Sequence, residues 1–175
     1  MQKSRIILTG GPSCGKTTVL NYLEKQGYTC IPETAREVLD EKRIDPETPE
    51  FQLEIFRRQL EKEKNYRGFF DRSALEGLAY SRKISGYVPK EIESFYFPER
   101  YSKVFLLERL PFKQDGTRTE KNDSEAEEVH RLIVRAYQEK GYDLISVPVF
   151  QGTLEESVER RANFILEKLE DLDGI

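Results

Sequence analysis

The stretch Ile6-Ile7-Leu8-Thr9-Gly10-Gly11-Pro12-Ser13-Cys14-Gly15-Lys16-Thr17 decides the fold of this chain. An apolar run of strand type passes directly into the pattern G-x-x-x-x-G-K-T, and a helix-forming segment follows. A glycine-rich turn between a buried strand and a helix start aims several backbone N–H groups at one point and adds the positive end of the helix dipole. That arrangement holds a polyphosphate. The glycines permit close backbone approach, Lys16 can reach the β- and γ-phosphates, and the Thr17 hydroxyl can ligate Mg²⁺. Gly11, Pro12, Ser13, Cys14, Gly15, Lys16, Thr17 and Thr18 are therefore the candidate nucleotide-binding residues.

Outward from this loop, short apolar runs alternate with longer segments of helical period, the pattern of a parallel sheet covered by helices on both faces. Strands are expected at residues 5–8, 28–31, 68–70, 103–107 and 144–147, each rich in Ile, Val, Leu, Phe or Tyr. Helices are expected at 16–26, 34–41, 49–65, 74–85, 90–96, 125–140 and 153–169. Gly27 and Gly141 stop two of them, and Pro49 opens another at its first turn. Residues 109–123 carry Pro111, Gly116 and several charges without apolar periodicity, and read as a loop of about fifteen residues of the kind that forms lids.

The chain has 175 residues, 37% of them hydrophobic, which suits a single domain with a full core. Net charge is −4, and both signs are interspersed, so nucleic acid is not expected as a partner. No apolar run approaches the ~18 residues of a membrane span, and the N-terminus lacks signal-peptide architecture. Membrane insertion is not expected and the cytosol is the default location. Cys14 and Cys30 have no C-x-x-C partner and read as reduced thiols.

In open α/β sheets ligands bind beyond the carboxyl ends of the strands. After the second strand, Glu33 can take a proton from a substrate hydroxyl and Arg36 can bind an anionic group, or Glu33-Thr34 is only a helix start and Arg36 a surface charge. After the third strand, Asp71 stands where a Walker-B-type acid holds Mg²⁺, and Arg72 is placed for a phosphate. In the loop at 109–123, Arg118 beside Gly116-Thr117 can neutralise a transferring phosphoryl group. His130, mid-helix without a second ligand at helical spacing, reads as structural or exposed. Phe95-Tyr96-Phe97 and Tyr101 either line a pocket or pack the core, core packing being the more common role for such residues.

The phosphate loop, Pro32-Glu33-Thr34-Ala35-Arg36-Glu37, Phe70-Asp71-Arg72-Ser73 followed by Leu78-Ala79-Tyr80, and Asp115-Gly116-Thr117-Arg118 occur in this order. With them the chain resembles the NadR-like P-loop domain family, often labelled an AAA domain but similar to nucleoside and nucleotide kinases. The resemblance implies an α/β/α sandwich on a five-stranded parallel sheet in the order 2-3-1-4-5, with ATP or GTP at the first strand's loop. It also implies Glu33 as the base that activates a substrate hydroxyl, Lys16, Asp71 and Arg118 as further catalytic residues, Thr17 and Asp71 as metal ligands, and Glu33, Arg36 and Arg72 on the substrate. Val147-Pro148-Val149-Phe150-Gln151 would border the nucleotide base. The chain departs from the family's ring-forming relatives in lacking a second arginine finger, and from NadR in lacking an adenylyltransferase domain.

Two functions remain open on the sequence. One is a kinase moving the γ-phosphate of Mg²⁺-bound ATP, or GTP, to a small nucleoside-like acceptor. The other is a nucleotide-dependent switch with slow hydrolysis and a macromolecular or lipid partner.

Overall fold

In the computed structural model, which describes residues 4–41, 43–110 and 122–173, the apolar run forms the central strand β1 (Arg5–Thr9). It pairs in parallel with β3 (Gly68–Asp71) on one side and β4 (Lys103–Leu107) on the other. Beyond these lie β2 (Cys30–Ile31) and β5 (Leu144–Val147), so the sheet runs β2-β3-β1-β4-β5 with every pairing parallel. This is the order that the family resemblance implies. The register Leu8↔Asp71 and Thr9↔Leu106 brings three strand ends to one edge.

Parallel neighbours need crossovers, and helices supply them. These are α1 (Lys16–Lys25), α2 (Thr34–Asp40), α3 (Pro49–Asn65), α4 (Gly77–Ser85), α5 (Lys90–Glu93), α6 (Asp123–Glu139) and the final α7 (Leu154–Asp173). Alternation along β1 divides the core between the two faces. Ile7 joins Phe70 and Val104 under Phe56 of α3, Leu78 of α4 and Ile133 of α6. Ile6 and Leu8 join Phe69 and Phe105 against Val19 and Leu23 of α1 and Ala162 and Ile165 of α7. The result is three layers.

Several boundaries differ from the sequence expectation for identifiable reasons. Strand β2 begins at Cys30 because the Tyr28 N–H closes the end of α1 on the Leu23 carbonyl. Helix α5 stops at Glu93, short of the expected 96; Pro98 disfavours helical backbone at Phe97 just beyond. The expected helix 74–85 opens with a 3₁₀ turn, Ala74–Glu76. Helix α6 starts at Asp123, two residues early, because Asn122 accepts the Glu125 N–H as its cap. Thr153 and Glu156 exchange side-chain and backbone bonds at the start of α7, a capping box.

Phe97 and Tyr101 are buried, with Phe97 meeting Phe56 edge-on, so core packing accounts for them, whereas Tyr96 faces solvent. Both cysteines are free thiols. No helix among the described residues is long and apolar enough to cross a membrane.

Candidate functional site

The phosphate loop turns on positions that only particular backbones reach. Gly10 (φ 136°) brings its Cα so near the end of β4 that a Cβ would lie 2.8 Å from the Leu107 carbonyl oxygen. Ser13 (φ 61°) and Gly15 (φ 78°) then take left-handed conformations, and Gly15 caps α1. Ser13 is not glycine, so its backbone carries strain of the kind that collects at ligand sites. The Leu110 N–H donates to the Ser13 carbonyl, and Arg161 of α7 donates to the carbonyls of Cys14, Glu108 and Pro148, tying the loop to the ends of β4 and β5.

Lys16 is buried along the loop, with its Nζ donating to the carbonyls of Gly10 (2.9 Å) and Gly11 (3.2 Å) and lying 3.2 Å from Cys14 Sγ. The Thr17 hydroxyl donates to Asp71 Oδ2 at 2.9 Å. Asp71 Oδ1 is buried without a hydrogen-bond partner among the described residues. Burial raises the Asp71 carboxyl above its ordinary value and Glu33 adds to the rise, while Lys16, Arg72 and Thr17 act against it. A desolvated carboxylate with one unsatisfied oxygen beside a hydroxyl fits a hard divalent cation, so Thr17 and Asp71 can hold Mg²⁺.

Beside the loop opens a cavity of about 300 Å³, and the remaining sequence candidates converge on it. Glu33 stands at the start of α2 but makes no side-chain cap; its Oε1 accepts from Arg72 Nε at 2.7 Å. Burial pushes the Glu33 carboxyl up, but Arg72, Lys16 and Arg36 outweigh it and hold the group below the ordinary carboxylate range. Arg72 (φ 71°) also reaches Glu76 at 2.8 Å and lies over the Tyr80 ring. Arg36 lines the same cavity. Arg118 falls outside the described residues.

Two contributors, Gln52 and Glu76, were not singled out from sequence, and a third, His130, was not placed at the site. Gln52 on α3 is only 4% exposed and lines the cavity, yet no hydrogen bond to its carboxamide exists among the described residues. Glu76 is buried, accepting from Thr9 (2.6 Å) and Tyr137 (3.2 Å) as well as Arg72. His130, read as structural or exposed, is half-buried and accepts the Gly11 N–H on Nδ1 at 3.1 Å, a structural contact made to the phosphate loop. The signal for Gln52 was available: together with Gln59 and Glu63 it occupies the buried stripe of α3 where apolar residues belong.

A parallel 2-3-1-4-5 sheet with this loop after its central strand defines a P-loop α/β fold. The family model described as an AAA domain matches residues 5–157, and the chain belongs to that family. No curated protein matches it. Among solved structures, a NadR protein in complex with NR superimposes with a TM-score of 0.71 at 20% identity, over 98% of this chain and 52% of that one. This chain thus spans about half the length of that NadR chain. A deoxyadenosine kinase from M. mycoides with dCMP and dCDP superimposes with a TM-score of 0.64 at 17% identity, over 96% and 99% of the two chains. YorR of Bacillus subtilis in complex with phosphorylated GDP gives 0.64 at 19%, over 98% and 99%.

Proposed function

We propose that this protein is a cytosolic kinase, formed as a single domain over residues 1–175, that transfers the γ-phosphate of a nucleoside triphosphate, ATP by default or GTP, to a hydroxyl of a small nucleoside-like metabolite. The observation that carries the reading is the Glu33 carboxyl group, paired with Arg72 at a cavity that shares its wall with the phosphate loop. A hydrolytic switch has no need of a cavity that runs on from the phosphate loop to Glu33, Arg36 and Arg72. The two free thiols favour a reducing compartment.

In this reading the loop N–H groups and Lys16 bind the polyphosphate, and Thr17 and Asp71 hold Mg²⁺. Held there, Mg²⁺ would supply charge screening for the transferring phosphoryl group. Glu33 accepts the proton of the acceptor hydroxyl as its oxygen forms a bond to the γ-phosphorus; the bond from that phosphorus to the β,γ-bridging oxygen breaks and the nucleoside diphosphate leaves. Arg36 and Arg72 orient the acceptor. Leu39, Phe51, Ile55 and Ile84 give the cavity apolar walls, and the carboxamide of Gln52, which lines it, can both donate and accept, which suits a flat ring with an amide-like edge. The dCMP named as a product with the deoxyadenosine kinase structure is the phosphate ester of such a nucleoside.

Glu33→Gln tests the assignment. Acceptor-dependent turnover should fall by about two orders of magnitude while nucleotide affinity stays close to that of the wild type. Loss of nucleotide binding instead would make Glu33 a structural residue.

A further inference from the structure

Helix α6 meets the phosphate loop at Gly11, and the side chain at that contact is the only histidine of the chain. A Cβ on residue 11 would lie 2.9 Å from His130 Cβ and 3.1 Å from the Ala126 carbonyl oxygen. Glycine is needed there because the helix comes so close, and not for an unusual φ. The Gly11 N–H donates to His130 Nδ1 at 3.1 Å, so the neutral ring carries its proton on Nε2.

We propose that His130 is a positioning residue of the nucleotide site, holding the start of the phosphate loop through Gly11, and that nucleotide binding and protonation of its ring oppose one another. The inference rests on the reading of the loop as a nucleoside triphosphate site. Protonation puts an N–H on Nδ1 opposite the Gly11 N–H, two donors at hydrogen-bond distance, and the loop or the ring must move. The loop binds polyphosphate only while its N–H groups converge, so the protonated protein binds more weakly.

The surroundings keep the ring neutral. Burial lowers its proton affinity most, Lys16 of α1 and Arg109 after β4 lower it further, and only Glu127 on α6 raises it. A bound polyphosphate attracts the imidazolium through space, and Lys16 and Arg109 repel it, whereas the donor–donor clash acts directly on the loop. Proton linkage is reciprocal, so nucleotide must depress the protonation of His130 by the factor by which protonation weakens nucleotide.

With one histidine, the imidazole Cε1–H signal of the full chain is assigned by composition and its pH titration can be followed by NMR with and without Mg²⁺ and AMP-PNP. Saturation with nucleotide should move the His130 midpoint down by about one pH unit, equivalent to roughly tenfold weaker binding by the protonated form. An unchanged or raised midpoint overturns the proposal. His130→Asn supplies a second readout, because Oδ1 can accept the Gly11 N–H and does not titrate. The ratio of wild-type to Asn affinity for AMP-PNP should fall between pH 8 and pH 5.5, and His130→Ala, without an acceptor, should bind about tenfold more weakly than either at pH 8. Parallel pH profiles for wild type and Asn overturn the assignment even if both fold. Absence of saturable AMP-PNP binding at every pH would instead remove the nucleotide reading on which it rests.

Discussion

Asp71 and Gln52 are polar side chains at the site that differ in kind: Asp71 has a buried oxygen without a hydrogen-bond partner among the described residues, and Gln52 lines the cavity. Asp71 is desolvated, with one carboxylate oxygen unbonded. Its folded-state pKa lies above the unfolded one, so the native state binds more protons across that interval and stability falls as pH rises through it. Asp71→Asn should therefore raise thermal stability at pH 7, by about 1 kcal/mol or a few degrees, while abolishing Mg²⁺-dependent turnover. Equal or lower melting temperature with full activity would contradict the role given to this carboxylate. Gln52→Leu keeps the volume and removes the carboxamide: the acceptor KM should rise about tenfold or more, with nucleotide affinity unmoved. The loop, Glu33, Asp71 and Arg72 were legible because each follows a strand end, where short-range sequence fixes position. The polar stripe of α3 marked Gln52 as unusual without saying what it faces, and His130 was not legible, because its contact arises when α6 packs against the loop at Gly11 and nothing local to residue 130 reports it.

The elements themselves were legible wherever apolar periodicity and caps agreed. Strands β1, β4 and β5, and helix α3 with its Thr48 cap and Pro49 start, follow such signals directly. Strand β2 was overestimated because Tyr28 and Thr29 have strand-like side chains, yet the backbone at Tyr28 is committed to ending α1. The narrow seam between β2 and β3 explains another feature, Gly68 at φ 136°. A Cβ there would collide with the Thr29 carbonyl oxygen. Gly68→Ala combines a forbidden backbone with a clash against main chain, and should cost about 2 kcal/mol or more, lowering the denaturation midpoint without altering the denaturant slope. An unaffected midpoint would show that this edge of the sheet does not pack as described.

At the scale of the whole molecule, two hydrophobic layers clamp one parallel sheet and leave its carboxyl edge to assemble the site. The strand order followed from the family resemblance and not from periodicity, since alternating strands and helices admit several orders. Charge and apolar patterning were enough to anticipate the absence of a membrane-spanning helix among the described residues. They carry no information on which hydroxyl enters the cavity. The central claim is that two ligands meet across the phosphate loop and Glu33. Its most direct test is nucleoside triphosphate consumption with Mg²⁺, with ATP and GTP separately, in the presence and absence of nucleosides, ribosylnicotinamide and simple alcohols. The account predicts turnover that rises strongly with one nucleoside-like acceptor and yields its phosphate ester; slow hydrolysis indifferent to every acceptor, despite tight nucleotide binding, would contradict it.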